Sequence, residues 1–440
     1  MFAKLHAKLG DFWWYSLMLF CACRAADVLN AFVGLWLVPK YVGPAELGAV
    51  MPLSQFANFL AIPIAAFANT FRNEVSRLSI TKEFGKLKTL MRGVFIASAI
   101  FIFFATIATH FILPSFLERI RIVEGSLAII IIATSFVSAI SPIYSNALQA
   151  LKKFKEQSLL SIVGAPIRLI TMLVAMPFRA LSGYFVGQAS VPAFNIIASI
   201  FCLKKELSVP AESYWNKNTV RKFSRIFFIF LISGLAGGFS LVTEATIIRQ
   251  QLSDLDSAGY YMATRFSEIA GLLACTLTFT IFPFAAEKAE KGEKLQPLIL
   301  KALIANAFFC LITAFPFVIY GKEILSSLPH GEQYANYWWS IPWLIGLCFL
   351  SSIVSLYTTS EISANRFDYL KWYLPLDLSY PILLVIVSNY RHLNGIIPHS
   401  WIEFLNFNNI NSLQNMLLWM TASTVIRSIG CLLAMKRKLR

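Results

Sequence analysis

Apolar residues in this chain form long uninterrupted runs, and polar residues collect in the short segments between them. Twelve runs of about 20 residues are visible, which is the length an α-helix needs to cross a bilayer. An outer-membrane barrel would instead show alternating segments of about ten residues. The pattern therefore predicts an all-α polytopic membrane protein with twelve transmembrane helices: Phe12–Val38, Leu47–Phe71, Gly93–Leu113, Ser126–Leu148, Ser158–Met176, Gly183–Leu203, Ile226–Ile248, Gly259–Phe284, Ala302–Tyr320, Tyr337–Ser360, Trp372–Ser388 and Asn415–Met435.

Composition supports this class and argues against a soluble enzyme. The chain has 440 residues, of which 57% are hydrophobic and 14% charged, with a mean hydropathy of +0.64, whereas soluble proteins are about 25% charged. No segment between the runs is long enough for a catalytic domain, and no GxxxxGK[ST] nucleotide-binding loop is present. Seven cysteines without a CxxC pair and five scattered histidines give no metal-binding pattern. We expect no enzymatic activity, no bound metal and no cofactor.

The basic residues alternate from side to side of the predicted membrane. Of the 38 Lys and Arg, 27 fall in the two termini and the loops after even-numbered spans, and 7 fall in the other loops. Lys and Arg collect on the cytoplasmic side of membrane proteins, so both termini are expected there. The net charge of +15 then needs no nucleic-acid partner. The first run continues past Arg24 to Val38, so we expect an uncleaved span rather than a signal peptide.

A weak internal repeat divides the spans into two sets of six. The turn Val42–Gly48 opens the second span, and the turn Ser253–Gly259 opens the eighth, 211 residues later. Since six is even, both halves have the same orientation, as in parallel-repeat transporters. The predicted domains are an N-terminal six-helix lobe (1–203), a basic cytoplasmic linker (204–225) and a C-terminal six-helix lobe (226–440). Such lobes imply a transporter with a central cavity that opens to alternate sides.

Several ionisable residues interrupt the apolar spans, where charge is costly and usually functional. Three arginines are candidate cations for binding a phosphate or diphosphate, because guanidinium binds such groups bidentately. Four carboxylates are candidates for coupling to an ion gradient or for holding the cations. The candidate cations are Arg24, Arg168 and Arg265, and the candidate carboxylates are Asp27, Glu244, Glu268 and Asp377.

A structural interpretation of the same residues remains open. Arg24 with Asp27, and Arg265 with Glu268, have an i, i+3 spacing that places each pair on one helix face, so they could simply neutralise each other. Arg427 could extend its charge towards the membrane surface, and Glu244 could pair with the nearby Arg249.

Two stretches resemble motifs of the polysaccharide exporters (the Wzx-like O-antigen flippase family) of the MOP superfamily, which also contains the MATE transporters. Gly43–Gly48 (GPAELG) is similar to the family's "lGpeefG" turn, and Gly259–Phe266 (GYYMATRF) to the "GxYxxAxRl" opening of its eighth helix. The resemblance implies a V-shaped pair of six-helix lobes. Arg265 falls on the motif's arginine, whereas Arg24 lies in the corresponding helix without a motif to align it.

The resemblance also implies an activity. Members of the family are thought to flip undecaprenyl-diphosphate-linked oligosaccharides across the bacterial inner membrane, for O-antigen, capsule or exopolysaccharide synthesis. The expected partners are this substrate, membrane lipids, a polysaccharide polymerase and chain-length proteins, with H⁺ or Na⁺ as a coupling ion. Related lipid II flippases use arginines of helices 1 and 8, but their two additional helices are absent here.

Two alternatives stay open. A MATE-type multidrug or cation antiporter would usually have a proline within the first helix and a "vDxxmvGxlG" stretch, and span 1 has neither, although it carries Asp27. A cationic cavity also disfavours cationic drugs. A non-transporting membrane scaffold is the second alternative, and it predicts that the charges within the spans are dispensable.

Overall fold

The computed structural model describes residues 26–122, 125–151, 153–271, 295–363, 367–388 and 412–437, and its regular elements are helices. Twelve helices fall at the twelve predicted spans, which confirms the predicted fold class. We number them in chain order: α1 (26–41, with a π-helical turn at Val33–Leu37), α2 (Pro44–Ile80), α3 (Phe84–Arg119), α4 (Gly125–Ala150), α5 (Phe154–Ala175), α6 (Ala180–Leu207), α7 (Lys217–Gln251), α8 (254–271), α9 (Gln296–Ser326), α10 (Ser340–Ser363), α11 (Leu370–Ser388) and α12 (Leu413–Arg437).

Within the described residues, nine of these helices are long and apolar enough to cross a membrane: α2 to α7, α9, α10 and α12. The predicted first and eighth spans lie partly outside the described residues. Helix α11 is not among the nine; it is 19 residues long and carries two charged residues, Lys371 and Asp377. Large apolar side chains project from the helix surfaces, including Phe103, Phe111 and Phe308, which are each more than half exposed. Exposed apolar surface on this scale marks contact with lipid or a partner.

Several helices extend beyond the predicted spans. Residues 72–92 were predicted as a loop, but α2 continues to Ile80 and α3 begins at Phe84. The connection is a tight turn in which Lys82 adopts a left-handed conformation, with φ of 57°. Charged residues lower the hydropathy of a window, yet Arg, Lys and Glu are good helix formers. Hydropathy therefore marks where the apolar segment ends and not where the helix ends.

The chain packs as two compact units. The first contains the described residues up to Val33 together with Leu53–Gly238, and the second contains Gly34–Pro52 together with Phe239 onwards. Helix α7 is continuous across this division, so its beginning belongs to one unit and its end to the other. The predicted domain limits, 1–203 and 226–440, describe the sequence repeat rather than the packing, and they stay a prediction.

In the first unit, the segment predicted as a linker is docked on the helices. The backbone N–H of Glu212 donates to the carbonyl of Gly85 at 3.2 Å, and Lys88 Nζ donates to the carbonyl of Val209 at 2.9 Å. The indole of Trp215 fills the space that a side chain at Gly93 would occupy. These contacts fix the start of α7 to the start of α3.

Candidate functional site

In the first unit, the guanidinium of Arg168 is held by a neutral partner. Arg168 Nη1 on α5 donates to Oδ1 of Asn30 on α1 at 2.6 Å. Asp27 and Tyr184 lie close enough to interact electrostatically with this guanidinium. Arg168 Nε is buried and has no hydrogen-bond partner among the described residues. The arrangement leaves part of a buried cation's hydrogen-bonding capacity for another acceptor.

One residue of the predicted site, Arg24, lies outside the described residues. Arg24 is among the residues before position 26 that the structure does not describe. Its predicted pairing with Asp27 and its role as a cavity cation therefore stay predictions. Asp27 itself lies on α1 one turn before Asn30, and residues spaced i, i+3 share a helix face.

In the second unit, Arg265 forms the predicted pair with Glu268. Arg265 Nη1 and Glu268 Oε2 are 2.8 Å apart, and the Glu268 side chain is 49% exposed. The guanidinium also lies over the ring of Tyr261, with 4.9 Å between Cζ and the ring centroid. Tyr261 donates its hydroxyl to the carbonyl of Gly34 at 3.3 Å. Arg265 is the more buried partner, with a side-chain exposure of 21%, so Glu268 is the side of the pair that another anion can reach and replace.

Glu244, on α7, accepts hydrogen bonds from two tyrosines. Tyr260 of α8 donates to Oε1 at 3.2 Å, and Tyr380 of α11 donates to Oε2 at 3.0 Å. The neighbouring Arg249 is engaged elsewhere, because it is almost fully buried and pairs with Asp254 at 2.6 Å. The structure thus brings Glu244 together with neutral hydroxyls rather than with the cation nearest in sequence.

Asp377 and Arg427 form a buried ion pair beside this carboxylate. Arg427 Nη1 on α12 donates to Oδ1 of Asp377 on α11 at 2.7 Å, with side-chain exposures of 19% and 4%. The Arg427 guanidinium also lies 5.6 Å from the ring centroid of Tyr380. Arg427 is therefore held inside the unit and does not extend to the membrane surface. We call Glu244, Tyr260, Tyr380, Asp377 and Arg427 the Glu244 network.

The Glu244 network can respond to the binding of a proton or a small cation. As a carboxylate, Glu244 accepts from both hydroxyls. If it were protonated, one of its oxygens would carry a donor hydrogen and lose its negative charge, and the hydrogen bond from the tyrosine on that oxygen would weaken or reorient. Since Tyr380 also touches Arg427, such a change would reach the Asp377 pair. Among the described residues, no three His, Cys, Asp or Glu side chains are grouped to hold a metal ion.

Sequence reasoning did not find the two tyrosines. Tyr260 lies within the recognised stretch Gly259–Phe266, one turn before Thr264, so the motif offered a signal for it. Tyr380 follows Asp377 by three residues, and this spacing places both on one face of α11. Hydropathy does not single out such tyrosines, because a tyrosine is close to neutral on a hydropathy scale and its hydrogen-bond partner is set by the packing of other helices.

No protein-family model matches the chain, and no curated protein sequence matches it. Solved structures do match. A multidrug resistance MATE transporter of the MOP superfamily, in an inward-facing conformation, superposes with a TM-score of 0.69 at 12% identity, covering 94% of both chains. The lipid II flippase MurJ, in an inward closed conformation, gives 0.68 at 15% identity, covering 96% of this chain and 87% of MurJ.

A third structure, the Vibrio cholerae MATE transporter VcmN in its bent form, gives a TM-score of 0.59 at 14% identity, covering 100% of this chain and 98% of VcmN. At such low identities the likeness shows the fold alone. The chain has the fold of MOP-superfamily transporters. The matching structures include transporters named for multidrug resistance and one named as a lipid II flippase.

Proposed function

We propose that the protein is a flippase that moves a diphosphate-linked lipid oligosaccharide across the bacterial inner membrane by alternating access. The observation that carries this proposal is the Arg168–Asn30 contact of 2.6 Å. The amide oxygen that accepts from the guanidinium carries no charge, and Arg168 Nε has no described hydrogen-bond partner, so the cation keeps donor capacity for a diphosphate. Guanidinium groups bind phosphate oxygens bidentately, and a fixed cation offsets the cost of moving an anion through a low-dielectric layer.

Arg265 has a complementary role in this proposal. Its partner Glu268 is half exposed, so an anionic substrate could replace it with little loss. Arg24 would add a third cation. Asp27 and Glu268 would hold these arginines in place while the substrate is absent.

The Glu244 network would couple transport to an ion gradient. Glu244 is the carboxylate whose described partners are two neutral hydroxyls, so binding H⁺ or Na⁺ there needs no ion pair to break. Asp377, by contrast, is committed to Arg427. The chain would then act in surface polysaccharide synthesis, beside a polymerase and chain-length proteins and without a bound cofactor.

The test is a depletion and complementation assay in the native host that follows lipid-linked oligosaccharide by leaflet. Depletion should trap the substrate in the cytoplasmic leaflet and remove surface polysaccharide. Complementation by Arg168→Gln should fail although the protein reaches the membrane, and Arg168→Lys should restore part of the activity. Lys155→Gln, an exposed charge on the same helix, is the matched control and should complement fully.

A drug antiporter is the second candidate, favoured by the similarity to MATE structures and by a carboxylate placed to accept a cation. It predicts an unchanged lipid-linked pool on depletion and a rise in sensitivity to cationic dyes. A scaffold predicts that Arg168→Gln and Glu244→Gln both complement fully. The first result would reject the flippase, and the second would reject the assigned site residues.

A further inference from the structure

A groove of about 600 Å³ runs along α11 and α12 in the second unit. Its lining is mostly apolar, and it includes Ile382, Leu383 and Ile426, whose side chains are about half exposed. The hydroxyl of Ser379 in the lining donates to the carbonyl of Leu376 at 2.8 Å. With few polar groups among its lining residues, the groove suits a hydrocarbon better than a sugar.

The groove is in contact with the Glu244 network. Tyr380 and Arg427 both line it, whereas Asp377, the counter-ion of Arg427, is buried and does not. Of this ion pair, the groove is therefore lined by the cationic residue, whose side chain is 19% exposed, and not by the carboxylate, whose side chain is 4% exposed. This asymmetry favours a hydrocarbon chain attached to an anionic group over one attached to a cation.

We propose that this groove binds the polyprenyl tail of the lipid-linked substrate, and that contact of the tail with Tyr380 and Arg427 reports its presence to Glu244. This inference rests on the proposed function and deepens it. Tyr380 links the two parts, because its ring lines the groove while its hydroxyl donates to Glu244 at 3.0 Å. A tail that shifts the ring must also change that hydrogen bond.

The groove has room for part of a polyprenyl tail, and its position beside Tyr380 favours the tail of the substrate over a bilayer lipid. At roughly 30 Å³ for each methylene-sized group, comparable to a water molecule in the liquid, the groove holds about 20 carbon atoms, or about four isoprene units. A bilayer phospholipid is always present, so its chain could not signal that cargo has bound, whereas the tail of the cargo could.

Photolabelling tests the site directly. The full-length protein in liposomes of phosphatidylethanolamine and phosphatidylglycerol is illuminated with a polyprenyl diphosphate that carries a benzophenone on its tail. We expect labelled peptides from α11 and α12, and at least a tenfold loss of labelling in Ala422→Trp, which fills the groove. Leu433→Trp, a lipid-exposed position of α12 outside the groove, should label normally.

Two results would overturn the proposal. One is unchanged labelling in Ala422→Trp. The other is equal labelling of the same peptides by a benzophenone-bearing phosphatidylglycerol, without competition from unlabelled polyprenyl diphosphate, which would identify a bilayer lipid as the occupant. Tyr380→Phe keeps the ring but removes the hydroxyl, so it should label normally and weaken the dependence of transport on the ion gradient. An undiminished dependence on the gradient would exclude Tyr380 as the link between the groove and Glu244.

The failure of this inference can be told apart from the failure of the proposed function. If the wild-type protein translocates lipid-linked oligosaccharide and Ala422→Trp does so equally well, the flippase stands and the groove is not the tail site. If depletion leaves the lipid-linked pool unchanged, the flippase itself is rejected, and with it the identification of the tail as a cargo signal.

Discussion

Gly48 lies directly against Ser257. A Cβ atom built on Gly48 would stand 2.6 Å from Cβ of Ser257 and 3.1 Å from Nη1 of Arg249. Gly48 ends the first repeated turn, Val42–Gly48, and Ser257 lies in the second, Ser253–Gly259. The two turns recognised in the sequence as a repeat thus touch each other within the second unit. Packing, rather than backbone conformation, explains why this position needs a glycine.

Adding a side chain at Gly48 should loosen this contact. We expect Gly48→Ala to lower the free energy of unfolding by about 1–3 kcal/mol, the usual cost of overpacking, as measured by unfolding of the detergent-solubilised protein. Gly43→Ala is the matched control in the same turn, because no atom lies within 4 Å of the new methyl group. Adding Ser257→Gly to Gly48→Ala should recover part of the loss, since contacting sites couple. Equal stability of both alanine variants would contradict the packing argument.

Removing one member of the Asp377–Arg427 pair should be costly. Asp377→Asn leaves a mostly buried guanidinium without its counter-ion, and breaking such pairs costs about 3–5 kcal/mol. Replacing both residues, as Asp377→Leu with Arg427→Met, should be less destabilising than the single change. Unfolding measurements on the three proteins check this. Asp368→Asn, which breaks the exposed pair with Lys371, should leave stability unchanged, and a cost similar to that of Asp377→Asn would refute the role of burial.

Neutralising Glu244 should uncouple transport from its ion gradient. Glu244→Gln keeps the shape of the side chain and removes its charge, so the rate of translocation in proteoliposomes should no longer respond to an imposed pH or Na⁺ gradient. Tyr260→Phe should weaken the response without abolishing it, because one hydroxyl remains. Glu323→Gln removes an exposed carboxylate of α9 and serves as the control. A full gradient response in Glu244→Gln would exclude this residue as the coupling site.

Tyr334 should contribute to the loss of stability in alkali. It lies in a single-turn helix between α9 and α10, and burial raises its pKa from 10.0 to about 12. The unfolded chain therefore releases this proton first, so the stabilisation from the neutral phenol is complete below pH 10 and declines as the pH rises through 12. Tyr334→Phe should make the unfolding midpoint less sensitive to pH over this interval. Identical alkaline profiles for both proteins would contradict the buried phenol.

The sequence allowed the positions of the helices to be predicted well, and the side-chain contacts between distant helices poorly. Long apolar runs located all twelve helices because the membrane requires about 20 apolar residues in each span. The two turns recognised as a repeat, at Gly48 and Gly259, are also in contact, since the first turn packs against the second. The pairing of Arg265 with Glu268 was accessible because i, i+3 spacing fixes neighbours on a helix.

Contacts between distant helices could not be predicted in this way. Glu244 has a cation five residues away in the sequence, yet it contacts Tyr260 and Tyr380 because the packing of α7, α8 and α11 decides its neighbours. Asn30 similarly meets Arg168 across two helices separated by more than 100 residues. Such pairs depend on tertiary geometry, and a single sequence carries no record of it.

A segment made early in synthesis packs in the unit that is made late, and this order affects biosynthesis. Gly34–Pro52 packs in the second unit, but Ser257 is made about 200 residues after Gly48. At about 5–20 residues per second, the ribosome needs roughly 10–40 s to cover that distance. Throughout this interval the first turn has already been synthesised, but the residues that it will pack against have not. A nascent chain that has passed the end of the first unit at Gly238 but not reached Ser257 therefore still carries an unsatisfied first turn.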